Sequence, residues 1–376
     1  MRTIINFFKN ETVLCIAMLL ALISVFFVGV DAEYLNYIDF RTLALLFCLM
    51  AVMAGFQKTG VFTSMAQVLL RRVHSIRGLA LILVMLCFFF SMLITNDVAL
   101  ITFVPFTFVI FNMIDTDKKD ALLISVIAMQ TTAANLGSML TPIGNPQNLY
   151  LHSLSGMAVG EFLLLMLPYT AVSFVLFSAW AIFGNRKESV RIAFDKPAKA
   201  GSRRHIAVNS ALFILCLLTV GHIIDWRITT LIVIAAAALN DRAVFSDVDY
   251  TLLATFAAFF VFIGNMGRIP LLRGGISGFI AGRECVTGIL SSQLISNVPA
   301  AILLSGFTDN IRELIVGVNI GGLGTLIASM ASLISFKLIG RNKKQLRGRY
   351  FLCFTLMNVI FLAVLLVFRA FMMQFN

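Results

Sequence analysis

Apolar runs of about 20 residues recur along the chain, and no other feature narrows its fold as much. The hydrocarbon core of a bilayer is about 30 Å thick and takes about 20 helical residues to cross. Backbone inside it must satisfy its own hydrogen bonds, as helices and closed barrels do. Only 12% of the 376 residues are charged and 60% are hydrophobic, whereas a soluble domain carries roughly 25% charge. The expected fold class is therefore an all-α polytopic membrane protein. The first run, about Thr12 to Val30, is too long for a signal-peptide core and has no small-residue cleavage site after it, so it is expected to stay as a helix. The net charge of +11 would suggest nucleic acid in a soluble protein. Here the basic residues gather in a few loops, where topology and membrane lipid account for them, and no nucleic-acid partner is expected. The six cysteines are scattered without a CxxC pair, and the four histidines lack metal-ligand spacing. With no nucleophile–base pair and no ATP-binding loop, neither an enzyme nor a primary pump is expected, and no cofactor is.

Within these runs the chain repeats itself. Leu93-Ile94-Thr95-Asn96-Asp97-Val98-Ala99 returns as Leu294-Ile295-Ser296-Asn297-Val298-Pro299-Ala300. A second pair comes after it in the same order. The residues from Asn135 through Gly137, Thr141, Ile143 and Gly144 to Asn145 match Asn319, Gly321, Thr325, Ile327, Ala328 and Ser329 as N-x-G-x-x-x-T-x-I-small-polar. An isolated amide or hydroxyl in an apolar segment is costly unless it binds something. Two motifs repeated in order make packing alone a poor explanation, although single small or polar residues in membrane helices usually only pack.

Read in order, the first repeat covers 1–184. Arg2 and Lys9 precede the first span, and Asp31, Glu33 and Asp39 come after it, which places the N-terminus in the cytoplasm. A second span runs from about Phe40 to Gln57, and Val61–Leu70 suits an interfacial helix. The stretch of about 78–112 is apolar on both sides of Thr95-Asn96-Asp97. It reads either as two full spans or as a re-entrant hairpin, and the hairpin is favoured because no aqueous loop separates the arms and the joint residues suit a helix start. About 121–157 reads as a span broken at Asn135–Asn148, where Gly137, Thr141-Pro142, Gly144 and Asn145-Pro146 cannot sustain a helix. The linker 185–206 carries Arg186, Lys187, Arg191, Lys196, Lys199, Arg203 and Arg204 against Glu188 and Asp195, and is expected in the cytoplasm. A connecting span, 207–225, then inverts the second copy relative to the first. The second repeat, 226–376, holds an outer-side hairpin at about 275–307, a broken span at about 311–338 and a basic loop from Gly340 to Arg349, and leaves the C-terminus outside. Inverted repeats, each with a re-entrant hairpin and a broken helix, are the plan of secondary transporters.

Hairpin tips and unwound turns expose N–H and C=O groups. Helix N-termini favour an anion, and neutral oxygens of Asn, Ser and Thr suit Na⁺. The candidate substrate- and ion-binding residues are Thr95, Asn96, Asp97, Asn135, Gly137, Thr141, Gly144, Asn145, Ser296, Asn297, Asn319, Gly321, Thr325 and Ser329. Possible Na⁺ sites lie at Thr95, Asn96 and Asn135 and at Ser296, Asn297 and Asn319. Asp97 has Val298 as its counterpart, and an acidic residue within the membrane is a coupling-site candidate. Glu161, His222 and Asp225 are secondary candidates near span ends. Arg268 and Arg273 are expected in an outer loop facing lipid phosphate or solvent.

At these residues the chain resembles the ion transporter superfamily, which covers divalent anion–sodium symporters, citrate transporters, arsenite permeases and a group of sodium/proton antiporters. Asn96-Asp97-Val98-Ala99-Leu100-Ile101 with Pro105, and Thr141-Pro142-Ile143-Gly144-Asn145-Pro146-Gln147-Asn148, look most like its arsenite-permease and citrate-transporter branch. The dicarboxylate members carry Ser-Asn-Thr at both tips; here the triplets are Thr95-Asn96-Asp97 and Ser296-Asn297-Val298. The resemblance implies a scaffold with a mobile transport domain, a homodimer in the plasma (inner) membrane and elevator-type alternating access. It implies Na⁺- or H⁺-coupled transport of a small anion, most readily citrate or a dicarboxylate. Arsenite or oxyanion efflux, Na⁺/H⁺ antiport, and a channel or non-transporting scaffold are the alternatives.

Overall fold

The computed structural model describes residues 11–114, 118–184, 188–190 and 200–374. Arg2, Lys9 and the linker residues Arg186, Lys187, Arg191, Asp195, Lys196 and Lys199 lie outside the described residues. Within them, regular structure is helical apart from one isolated bridge between Ser75 and Ser189. Among the described residues, eight helices are long and apolar enough to cross a membrane, so the chain is an all-α polytopic membrane protein.

The first half begins with α1 (Thr12–Val25), α2 (Tyr34–Tyr37), α3 (Phe40–Thr59) and α4 (Val61–Leu70). The antiparallel pair α5 (Ile76–Ile94) and α6 (Asn96–Met113) is next, then α7 (Lys119–Ser138), α8 (Pro146–Ser155) and α9 (Val159–Gly184). The second half comprises α10 (Arg203–Val220), α11 (Trp226–Asn240), α12 (Tyr250–Gly267) and α13 (Pro270–Ile280). The pair α14 (Glu284–Ile295) and α15 (Asn297–Ser305) comes next, then α16 (Ile311–Ile320), α17 (Met330–Asn342) and α18 (Arg347–Met372).

Two equivalent helix starts are capped in the same way. Asp39 accepts from the Thr42 N–H at 3.0 Å and Asp249 from the Leu252 N–H at 2.9 Å, so α3 and α12 open alike. Gly60, at φ 64°, lets α3 turn directly into α4.

The second hairpin differs from the expected bounds. Residues 270–280 form a separate helix, and the paired arms begin at Glu284, whose Oε1 accepts from the Gly282 N–H and the Thr308 hydroxyl and so holds the two ends together. With 12 and 9 residues these arms reach about 18 and 14 Å, too short to cross a bilayer. The arms of the first pair, 19 and 18 residues, are each as long as a full span.

α7 sits at the centre and is the most deeply buried of these eight helices. It packs backbone-close on α5 because Gly137 has no Cβ; one there would run into the Phe88 carbonyl oxygen and lie 2.5 Å from the Ser91 hydroxyl. Gly321 serves α16 in the same way, where a Cβ would stand 2.8 Å from the Ile289 Cα and 2.8 Å from the Ser292 hydroxyl. Polar side chains bind the interior helices together, as is usual where lipid provides no hydrophobic drive. Gln130 donates to the Leu83 carbonyl and accepts from Thr107, while Thr131 reaches Ser335 at 2.7 Å and Asn358 donates to Thr132 at 3.1 Å.

Ion pairs connect the helix ends. Lys58 meets Asp241 at 3.4 Å and Asp247 at 3.0 Å, Lys343 meets Asp120 at 3.7 Å, and Arg369 pairs with Glu313. Arg268, expected to face lipid or solvent, instead pairs with Asp31 at 2.7 Å and donates to the Tyr37 hydroxyl at 3.0 Å. Sequence distance hid that partner, which arrives from the first inter-helix loop. The secondary candidates behave as terminal groups: Asp225 caps α11 through the Arg227 N–H, and His222 Nδ1 accepts from Arg41 at 2.6 Å. Burial, and then the Arg41 charge, lower the proton affinity of His222 below that of an ordinary histidine.

Candidate functional site

Both joints and both interruptions meet at one place. The tips are single residues, Thr95 at φ 71°, ψ 150° and Ser296 at φ 74°, ψ 154°. These torsions lie at the edge of a region that is essentially glycine-only and cost of order 1–3 kcal/mol each. Two non-glycine residues hold the same unusual geometry at equivalent positions, so the surrounding contacts must enforce it.

Those contacts match pair by pair. The Asn96 N–H donates to the Gly144 carbonyl at 3.0 Å, and the Asn297 N–H donates to the Ala328 carbonyl at 2.9 Å. Thr141 donates its hydroxyl to the Met92 carbonyl, and Thr325 donates its own to the Gln293 carbonyl. Met92 and Gln293 each stand three residues before a tip. The α5–α6 joint is thus fastened to the turn between α7 and α8, and the α14–α15 joint to the turn between α16 and α17, by two bonds each in equivalent places.

The halves are also joined to each other. Asn135 Oδ1 accepts from Ser329 at 2.9 Å, while Asn319 Oδ1 accepts from Asn145 Nδ2 at 3.3 Å. Asn135 corresponds to Asn319 and Asn145 to Ser329, so the exchange is reciprocal. It continues three residues on, where Asn135 Nδ2 reaches Ser332 at 3.4 Å and Asn319 Nδ2 donates to Asn148 at 2.6 Å. Asn135 and Asn319 are both buried, at 5% and 3% exposure.

The candidate residues therefore fall into linked groups. Asn96 donates to Asn135 at 3.2 Å, which joins two of the three residues of the first possible Na⁺ set. In the second set, Ser296 touches Asn297 at 3.5 Å, and the Asn319 amide turns towards Asn145 and Asn148 of the first half. Gly137 and Gly321 act through close helix approach, and Gly144 abuts the Ser138 carbonyl. Asp97 lies in the first turn of α6 with its Oδ1 buried and without a hydrogen-bond partner among the described residues.

Sequence reasoning passed over Asn148, Ser332 and Gln293 as site residues. Extending the aligned motif by three positions would have added Asn148 and Ser332. Gln293 has Met92 as its counterpart, so no repeat pattern marks it.

The helices end here in a regular way. α6, α8, α15 and α17 begin at the junction, at Asn96, Pro146, Asn297 and Met330, and α5, α7, α14 and α16 end there. Helix N-termini carry partial positive charge and helix C-termini partial negative charge. One small volume can thus favour an anion and a cation together.

A profile of the citrate transporter family matches residues 4–312. The chain belongs to the citrate transporter family. It is 33% identical to an uncharacterized transporter of Methanocaldococcus jannaschii, over 89% of this chain and 91% of that one. It is 30% identical to an inner membrane protein of Escherichia coli, over 84% of this chain and 83% of the other. A silicon efflux transporter of Oryza sativa is 32% identical over 38% of this chain and 28% of its own length. As a member of the citrate transporter family, the protein is a membrane transporter.

Proposed function

We propose that the protein is a cation-coupled secondary transporter of a small anion, most readily citrate or a dicarboxylate, working as a homodimer by elevator-type alternating access. The observation that carries this reading is the reciprocal exchange of Asn135 with Ser329 and Asn319 with Asn145 at the meeting point of both tips. Substrate would sit among the four helix N-termini, held by Asn and Ser/Thr side chains and exposed N–H groups. The coupling ion, Na⁺ or H⁺, would use the C=O ends and the Asn96–Asn135 pair, with Asp97 as the group able to carry a proton. Two hairpins entering from opposite faces would close the site alternately, the first from the cytoplasm and the second from outside. The helices bearing the junction, α5–α8 and α14–α17, would move against a scaffold of α1–α4 and α10–α12. The N-terminus would be cytoplasmic and the C-terminus outside.

Efflux of a small oxyanion or its neutral acid is the second reading. It is favoured by the partial match to the silicon efflux transporter and by the neutral side chains that make up the bonded junction. Proteoliposomes separate the two. Under imposed Na⁺ or proton gradients, citrate and C4-dicarboxylates should accumulate inside with one gradient and not the other. Gradient-driven movement of arsenite or silicic acid in place of carboxylates would favour efflux, and no exchange of any small anion would overturn both.

A further inference from the structure

The two unwound turns solve the same problem with different residues. A broken helix leaves carbonyls without intrahelical partners, and at membrane depth they need donors. In the first half the donor is Asn148, whose Nδ2 lies 3.3 Å from the Ser138 oxygen, 3.3 Å from Met139 and 3.2 Å from Thr141. In the second half Asn148 is replaced by Ser332, and the donor is Gln293. Its Nε2 lies 2.8 Å from the Gly321 oxygen and 2.9 Å from that of Leu323, while its Oε1 accepts from the Thr325 N–H at 3.0 Å.

The backbone is shaped to receive it. Gly324 adopts φ 103° and sits directly against Gln293 Oε1, so a Cβ there would collide with the amide. The residue equivalent to Gly324 is Leu140, at a turn held by Asn148 instead. Each half therefore pairs one amide with one matching turn. In the first the amide comes from the broken helix itself; in the second it comes from the hairpin, one turn before the tip.

We infer that Gln293 is a positioning residue of the transport site, which locks the second unwound turn to the second hairpin so that tip and turn move as one half-site. The inference rests on the proposal that substrate binds at this junction. Gln293 sets where the Thr325 turn and the Ser296–Asn297 tip stand relative to each other. It acts on substrate through them.

Gln293→Met installs the residue of the first half at this position. Ser332→Asn on that background supplies an amide where the first half keeps Asn148. Backbone hydrogen exchange over 321–325 should speed up about tenfold or more in Gln293→Met and slow again in the double variant. Unchanged exchange in Gln293→Met overturns the inference, and that readout needs no substrate. Citrate uptake into proteoliposomes should show KM raised about tenfold or more with kcat changed far less, again recovered in the double variant. If exchange rises while KM stays at the parent value, the residue only stabilises the turn and the inference fails. If the parent neither binds nor moves citrate or another small anion, the proposed function fails, and the exchange result still decides whether tip and turn are locked.

Discussion

Removing the Asn135 side chain separates folding from function at the junction. Asn135→Ala deletes two acceptor contacts, from Asn96 at 3.2 Å and Ser329 at 2.9 Å, and two long donor contacts of 3.4 Å, to Gly322 and Ser332. Interhelical hydrogen bonds in membranes are worth about 0.6 kcal/mol on average, and ordinary net values are about 1 kcal/mol. The two good bonds then sum to about 1–2 kcal/mol, a minor part of the ~5–15 kcal/mol typical of folded domains. The variant should therefore insert and fold, with a modestly lower melting temperature in detergent. Substrate affinity should fall further, by at least about thirtyfold, because Asn96 and Ser329 both lose the partner that orients them. A double-mutant cycle with Ser329→Ala should show a coupling of about 0.5–1.5 kcal/mol in binding. Additive effects, or a variant that binds as tightly as the parent, would refute the claim that Asn135 joins the halves for binding.

The same geometry sets three further outcomes. Asn96→Ala and Asn297→Ala should each abolish or strongly weaken binding without unfolding the protein, and unchanged affinity in either would make that tip a packing feature. Asp97→Asn keeps the shape and removes the charge, so it should retain substrate exchange and lose gradient-driven accumulation; accumulation with the parent's ion and pH dependence would leave Asp97 a helix-end residue only. Cysteines at Ser202 and Lys344 should react with an impermeant reagent from one face and a cysteine at Glu33 from the other, whereas Ser202 and Glu33 reacting from the same face would break the inverted arrangement.

The class of fold was legible because hydrophobic length is a strong signal in a chain with so little charge. The motif residues were legible because they occur twice: Asn135, Asn145, Asn319 and Ser329 were paired by pattern, and the structure places them in contact across the halves. Gln293 was not legible, since its counterpart Met92 shares none of its chemistry and its partners lie about thirty residues on, at Gly321, Leu323 and Thr325. The partner of Arg268 was hidden for a related reason, since ion pairs between loops leave no periodicity. The helix break inside the stretch expected as the second hairpin was not legible, because Pro270–Ile280 is as apolar as the helix after it. Only the turn at Ala281–Arg283 and the cap-like use of Glu284 divide them.

The most direct test of the central claim asks whether one substrate touches both half-sites. Thr141→Cys and Thr325→Cys each replace a hydroxyl beside a tip with a thiol of similar size. In proteoliposomes, a saturating transported anion should slow thiol alkylation at both positions, with the same half-maximal concentration. Protection at one position only, or at neither while transport persists, would contradict a single site built from the two halves.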